Sequence, residues 1–127
     1  LARLGWLLGE TRYLDAAEAT LRGGWDSMSR TPQAHTAMLH ALEEFLEPVE
    51  IVVIRGGSAP IAEWSQALAA LYAPRRMVVT VPSDAGGLPE ALAAKAPRGA
   101  AVAYICRGPA CSEPVDSLLE LLDTLRG

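Results

Sequence analysis

Apolar residues recur at helical spacing through the first third of the chain and then give way to short continuous apolar runs. The stretch ARLGWLL places Leu4, Leu7 and Leu8 along one helical face, and YLDAAEATLR does the same with Tyr13, Leu14, Ala17 and Leu21. The intervening GETR breaks the pattern, which predicts an antiparallel helical hairpin. GGWDSMSRTP reads as a second turn region. Thr31 then serves as a cap with Pro32 at the first helical position, where a missing N–H costs nothing. The helix that follows, up to about Glu47, sets Ala34, Met38, Leu42, Phe45 and Leu46 inward and Glu43, Glu44 and Glu47 toward solvent, and Pro48 ends it.

From there the period changes. EIVVIRGG carries four consecutive apolar residues, Ile51 to Ile54, bounded by glycine, which predicts a buried strand. SAPIAEWSQALAALY is a helix with Ser58 as cap and Ile61, Trp64, Leu68 and Leu71 as its apolar stripe. RRMVVTV is a second strand, GLPEALAAK a short helix or single turn, GAAVAYIC a third strand, and EPVDSLLELLDTL a closing helix. Strands alternating with helices imply right-handed crossovers. The expected fold is therefore α/β: an N-terminal helical hairpin plus helix (1–48), packed with a small three-stranded parallel sheet flanked by helices (49–127, a βαβαβα unit). Such a sheet has two edges that must be covered or paired.

Composition narrows the functional classes. The chain has 127 residues, half of them hydrophobic, enough for a core without a metal or disulfide staple. Asp plus Glu outnumber Lys plus Arg by 15 to 11, and Lys95 is the single lysine. With no basic cluster beyond Arg75-Arg76, neither nucleic acid nor a membrane is expected as a partner. The longest apolar stretches, such as AAVAYIC, fall far short of the roughly 20 residues that cross a bilayer. A leader pattern is not seen in LARLGWLLGETRYL, and Leu1 stands where an initiator Met is expected. The expectation is the excised end of a longer cytoplasmic protein.

The candidate chemistry is sparse. RGGSAP follows a strand and opens a helix, the context of an anion site at Gly56, Gly57 and Ser58, but no phosphate-loop spacing accompanies it and a tight turn is the simpler reading. Asp84 in PSDAGG reads as a turn residue bonded to its own backbone. His35 and His40 lie about 140 degrees apart around one helix and do not share a metal; Glu44 is placed to pair with His40. Among Asp15, Glu18, Asp26, Glu43, Glu44 and Glu63, spacing selects no catalytic pair. No catalytic residue, metal site or cofactor is expected.

YICRGPACSEPVDSL holds the two cysteines. Cys106 is expected to end the third strand at the carboxyl edge of the parallel sheet, where open α/β sheets place functional residues. Cys111 precedes Ser112, the expected cap of the last helix, whose N-terminus favours a thiolate. The bend at Gly108-Pro109 brings them near one another. Two partly buried thiols, a disulfide, a redox pair and an incomplete metal site all remain open, the spacing being neither C-x-x-C nor a full zinc set.

AYICRGPACSEPV, with YAPRRMVVTVP and PVEIVVIRGG before it and LGWLLGETRYLDAAEATLR at the start, resembles the C-terminal end of the YyaL/spermatogenesis-associated protein 20 family (DUF255, thioredoxin-domain-containing proteins). Tyr104, Cys106, Cys111, Pro114 and Val115 match its terminal motif, with Arg107 and Ser112 as weaker matches. The resemblance implies a parent with an N-terminal thioredoxin-like domain and an α/α barrel similar to six-hairpin glycosidases, of which this chain carries the last barrel helices and the C-terminal α/β segment. It also implies that the thioredoxin active site and the barrel cavity lie outside this sequence. The expected role is a non-catalytic structural and interaction module, with the upstream domains as partner and self-association of the isolated piece. The alternative is a contribution of sheet-edge residues to a carbohydrate or thiol-redox active site.

Overall fold

In the computed structural model, which describes residues 1–127, the first helix, α1 (Ala2–Leu8), stops at Gly9 in the left-handed conformation, φ 66° and ψ 29°. Glycine adopts that conformation without a Cβ penalty, so GETR ends the helix as its sequence indicates. A helix of 20 residues, α2 (Thr11–Arg30), follows and packs against α1 at Gly5, where an added Cβ would stand 2.7 Å from Leu14 Cδ2. After a single 3₁₀ turn (Pro32–Ala34) comes α3 (Thr36–Leu46). Arg3 donates from Nε to Glu44 Oε2 at 2.9 Å and from Nη2 to Oε1, tying α1 to α3, and the bond to Glu44 raises the Arg3 pKa.

Several expectations fail in this helical unit, Leu1–Val49: Leu46, expected inward, ends α3 with 69 % of its surface exposed. GGWDSMSR is no turn, because α2 runs straight through Gly23 and Gly24. Gly24 is where α3 approaches: a Cβ there would lie 3.1 Å from Met38 Sδ. Packing between the helices explains that glycine and overrides its low helix propensity. Nor does Thr31 open α3: with Pro32 it starts the 3₁₀ turn instead, and its side chain makes no capping bond. Its hydroxyl donates back to the Ser27 carbonyl at 3.2 Å, and the 3₁₀ turn delays α3 to Thr36.

The second unit, Glu50–Gly127, contains β1 (Glu50–Gly56), α4 (Ser58–Ala69), β2 (Arg76–Pro82), α5 (Glu90–Ala93), β3 (Ala101–Arg107), β4 (Ala110–Cys111) and α6 (Leu118–Arg126). The sheet is four-stranded and mixed, in the order β2-β1-β3-β4. β1 and β2 are parallel, with Glu50 opposite Arg76 and Gly56 opposite Pro82. β3 is antiparallel to β1, with Glu50 opposite Arg107 and Gly56 opposite Ala101. The expected three-stranded parallel sheet is thus overturned. A parallel β3 would need a crossover that returns the chain along the whole strand, and four-residue α5 is too short to make it. The connection from Pro82 to Ala101 stays at one end of the sheet.

One face of the sheet buries Val52, Ile54, Ala101 and Ala103 against Trp64 and Leu68 of α4, Val115, and Leu121 of α6. Each large apolar side chain removed from water there contributes about 1.5–3 kcal/mol. The closing helix starts later than expected. Val115 exchanges two backbone hydrogen bonds with Ala103, at 2.8 and 2.9 Å, and Pro114 has no N–H to give a helix, so the chain stays extended past Ser112. Ser117 is the cap of α6, its Oγ accepting from the Glu120 N–H. No helix of the structure is long and apolar enough to cross a membrane.

Candidate functional site

β3, the Gly108-Pro109 turn and β4 form a hairpin that sets Cys106 directly opposite Cys111. Gly108, at φ 58°, holds the first turn position, which a two-residue hairpin fills with a positive-φ residue. Arg107 pairs with Ala110, and the Ser112 N–H donates to the Ile105 carbonyl at 2.8 Å. Between them the cysteines, Cα atoms 4.0 Å apart, are joined by a disulfide. Cys106 is 7 % exposed and Cys111 open to solvent.

Their setting differs from the one expected. Because β3 runs against β1, Cys106 lies beside Ile51, at the amino end of the parallel pair rather than its carboxyl edge. Cys111 belongs to a strand, six residues ahead of the α6 cap at Ser117, so no helix N-terminus acts on it. Next to the bridge, Glu50 stands between two arginines of neighbouring strands. Its carboxylate accepts from Arg76 Nε at 2.6 Å and from Arg107 Nη2 at 3.1 Å, while Arg76 Nη2 reaches the Leu125 carbonyl at 3.1 Å.

At the opposite end of β1 the structure places a residue the sequence reading passed over. Arg55, 3 % exposed, donates from Nε to Val81 O at 3.2 Å, from Nη1 to Lys95 O at 2.8 Å and from Nη2 to Pro82 O at 3.3 Å. All three acceptors are main-chain carbonyls. Beside them Tyr104 Oη donates to Ala96 O at 2.6 Å and Lys95 Nζ to Ala91 O at 2.9 Å, and partial burial lowers the Lys95 pKa. The bonds from Arg55 and Tyr104 fasten Lys95 and Ala96 to the sheet, and that of Lys95 closes back on its own segment. The available signal was a charged residue continuing a strand that is otherwise apolar.

Gly56, Gly57 and Ser58 form the strand-to-helix turn. An added Cβ at Gly56 would stand 2.6 Å from Ala100 O, so close approach of the chain entering β3 accounts for this glycine. The Gly57 N–H is already used by Ala100 O at 3.2 Å, and Pro60 has no N–H, which leaves the amides of Ser58 and Ala59 in the first turn. That is a thin cradle for an anion. A neighbouring cleft of about 290 Å³ is lined by Glu63, Trp64, Arg98 and Asp116.

The remaining polar candidates are dispersed. His35 Nδ1 lies 2.9 Å from Thr31 O, and exposed His40 is 3.8 Å from Glu43, not Glu44, which holds Arg3. Glu18 pairs with Arg22 and Asp26 with Arg30 along α2. Asp84 sits in an exposed turn whose closing bond runs from Ala85 N–H to Pro82 O. Nowhere do three His, Cys, Asp or Glu side chains converge as metal ligands would. Comparison with family models, with curated proteins and with solved structures finds no match.

Proposed function

We propose that this chain is a non-catalytic structural and interaction module, the C-terminal part of a larger thioredoxin-domain-containing protein of the kind its motifs resemble. The observation that carries the reading is an open apolar groove between α2 and α3, about 330 Å³, lined by Leu21, Trp25, Leu42, Phe45 and Leu46. Trp25 is 58 % exposed and Leu46 69 %. Two large apolar side chains turned outward on adjacent helices mark a surface built to be covered. Upstream helices of the parent are its occupant in this proposal, α1 to α3 being the last of a longer helical array. The proposal includes a cytoplasmic setting, where the solvent-facing Cys111 leaves the bridge open to reducing thiols.

The test is binding of the dye ANS to the chain. The groove should raise its fluorescence, and the double variant Trp25→Ser, Leu46→Ser should abolish the rise while melting as the parent chain does. A parent chain that leaves the dye dark overturns the reading. So does a double variant that still binds it.

A further inference from the structure

The sheet has one closed edge and one open edge. Along β3, residues 110–115 take up the outward groups: Ala110 opposite Arg107, Ser112 N–H on Ile105 O, Val115 on Ala103. On the other side, β2 has no neighbour beyond β1. The ladder fixes which of its groups face outward. Glu50 N–H donates to Arg75 O and Ser83 N–H to Gly56 O, so residues 75, 77, 79, 81 and 83 face β1 and 76, 78, 80 and 82 face away.

Of these four, two have no amide to give. The Arg76 N–H bonds Ala73 O at 3.0 Å, and Pro82 has no N–H while its carbonyl accepts from Ala85 and Arg55. Val78 and Thr80 keep a donor and an acceptor each. Thr80 is exposed and Val78 half-buried, and MVVTV contains no charge, bulge or proline to blunt the edge.

We infer that β2 is a self-association edge whose partner is a second copy of this chain, paired antiparallel about a two-fold axis at Val79. In that register Val78 faces Thr80 of the second copy, and Thr80 faces its Val78. Four hydrogen bonds form, using every outward donor and acceptor of both residues in both copies, the self-complementarity that a two-fold interface requires. Arg76 then faces Pro82 of the other copy, where neither residue has an amide to offer. Pairing in parallel register would instead set Arg76 beside Arg76. The inference deepens the reading above by naming a partner, but it rests on the strand edge and not on the α2–α3 groove.

Thr80→Pro tests it. The Thr80 N–H takes no part in the β1 ladder, so proline is tolerated there as at other edge strands, and the groove is untouched. Sedimentation equilibrium over a concentration series should show a dimer, weakened in Thr80→Pro by about tenfold or more, equivalent to 1.4 kcal/mol. A chain that stays monomeric, or a dimer indifferent to Thr80→Pro, overturns the inference; neither result bears on dye binding at the groove. Should Thr80→Pro fail to fold, cross-linking decides. No native cysteine is free, so Val79→Cys at the axis should oxidise to a covalent dimer and Met77→Cys, displaced from it, should not. Equal cross-linking of the two, or none, overturns the inference.

Discussion

Arg55 offers the sharpest test of what holds the second unit together. Its guanidinium is buried against carbonyls alone, so two opposing effects must be weighed: the bonds it makes, and the several kcal/mol that burying a charge costs. The three acceptors differ. Val81 O faces β1 in the ladder and Pro82 O also accepts from Ala85 N–H, so both keep a partner if the arginine is lost. Lys95 O does not, and an orphaned carbonyl costs about 1–3 kcal/mol. Truncation to alanine removes the two buried methylenes Cγ and Cδ, roughly 0.8 kcal/mol each. Against these stands relief of the buried charge. Arg55→Ala should therefore destabilise by about 2–4 kcal/mol, and Arg55→Met, which keeps the stem volume and drops the charge, by no more than about 1.5 kcal/mol. Urea denaturation followed by far-UV circular dichroism reads both, and hydrogen exchange of amides 92–95 should quicken in either variant. If Arg55→Met proves as damaging as Arg55→Ala, stem packing is not what separates them and the reasoning is refuted.

Two further substitutions separate a glycine that packing requires from one that it does not. Gly56→Ala drives a Cβ toward the Ala100 carbonyl and should cost about 1–3 kcal/mol by overpacking. Gly57→Ala, whose nearest neighbour would be Pro60 Cδ at 3.6 Å and whose φ is −69°, should be neutral or stabilising by up to about 1 kcal/mol; equal losses at both positions would contradict this account. Replacing Cys106 and Cys111 together by Ser opens a loop of sequence separation 5, for which chain entropy allows about 2 kcal/mol at most, less because the Gly108-Pro109 turn already closes the hairpin. The variant should melt cooperatively at a lower temperature; outright unfolding would show that the core depends on the bridge.

Much of the architecture was legible because it depends on local signals. The Ile51–Ile54 run, the Gly9 stop and the stripe of α4 each needed only a window of residues. The errors arose where distant contacts decide. Gly23-Gly24 looks like a break until Met38 of α3 is placed against Gly24. Ser112 looks like a cap until Val115 is found paired with Ala103, twelve residues earlier. The direction of β3 was the costliest miss, since it carried Cys106 to the other end of the sheet. The clue was present in the four residues of α5, too few to return along strands of seven. Arg55 was missed because a charge inside an apolar strand acquires meaning only when its three carbonyl partners, 26 to 40 residues away, are known.

These polar groups share one consequence: each is satisfied only in this register. Glu50 meets both Arg76 and Arg107 because β2 is parallel and β3 antiparallel with all three residues level, and a one-residue slip of either outer strand would send its arginine to the other face. Arg55, at the far end of β1, binds the last two residues of β2 and the segment leading toward β3, so it fixes the same register from the other side. The disulfide does likewise for β4. Glu50 and Arg55 are five residues apart, about 17 Å of strand, and the two clusters do not converge on any common reacting atom. The buried polar chemistry of this unit is thus committed to specifying a mixed sheet. What remains uncommitted is surface: the Val78 and Thr80 edge of β2, and the Trp25 and Leu46 groove of the helical unit. These are the two surfaces on which the proposed association rests.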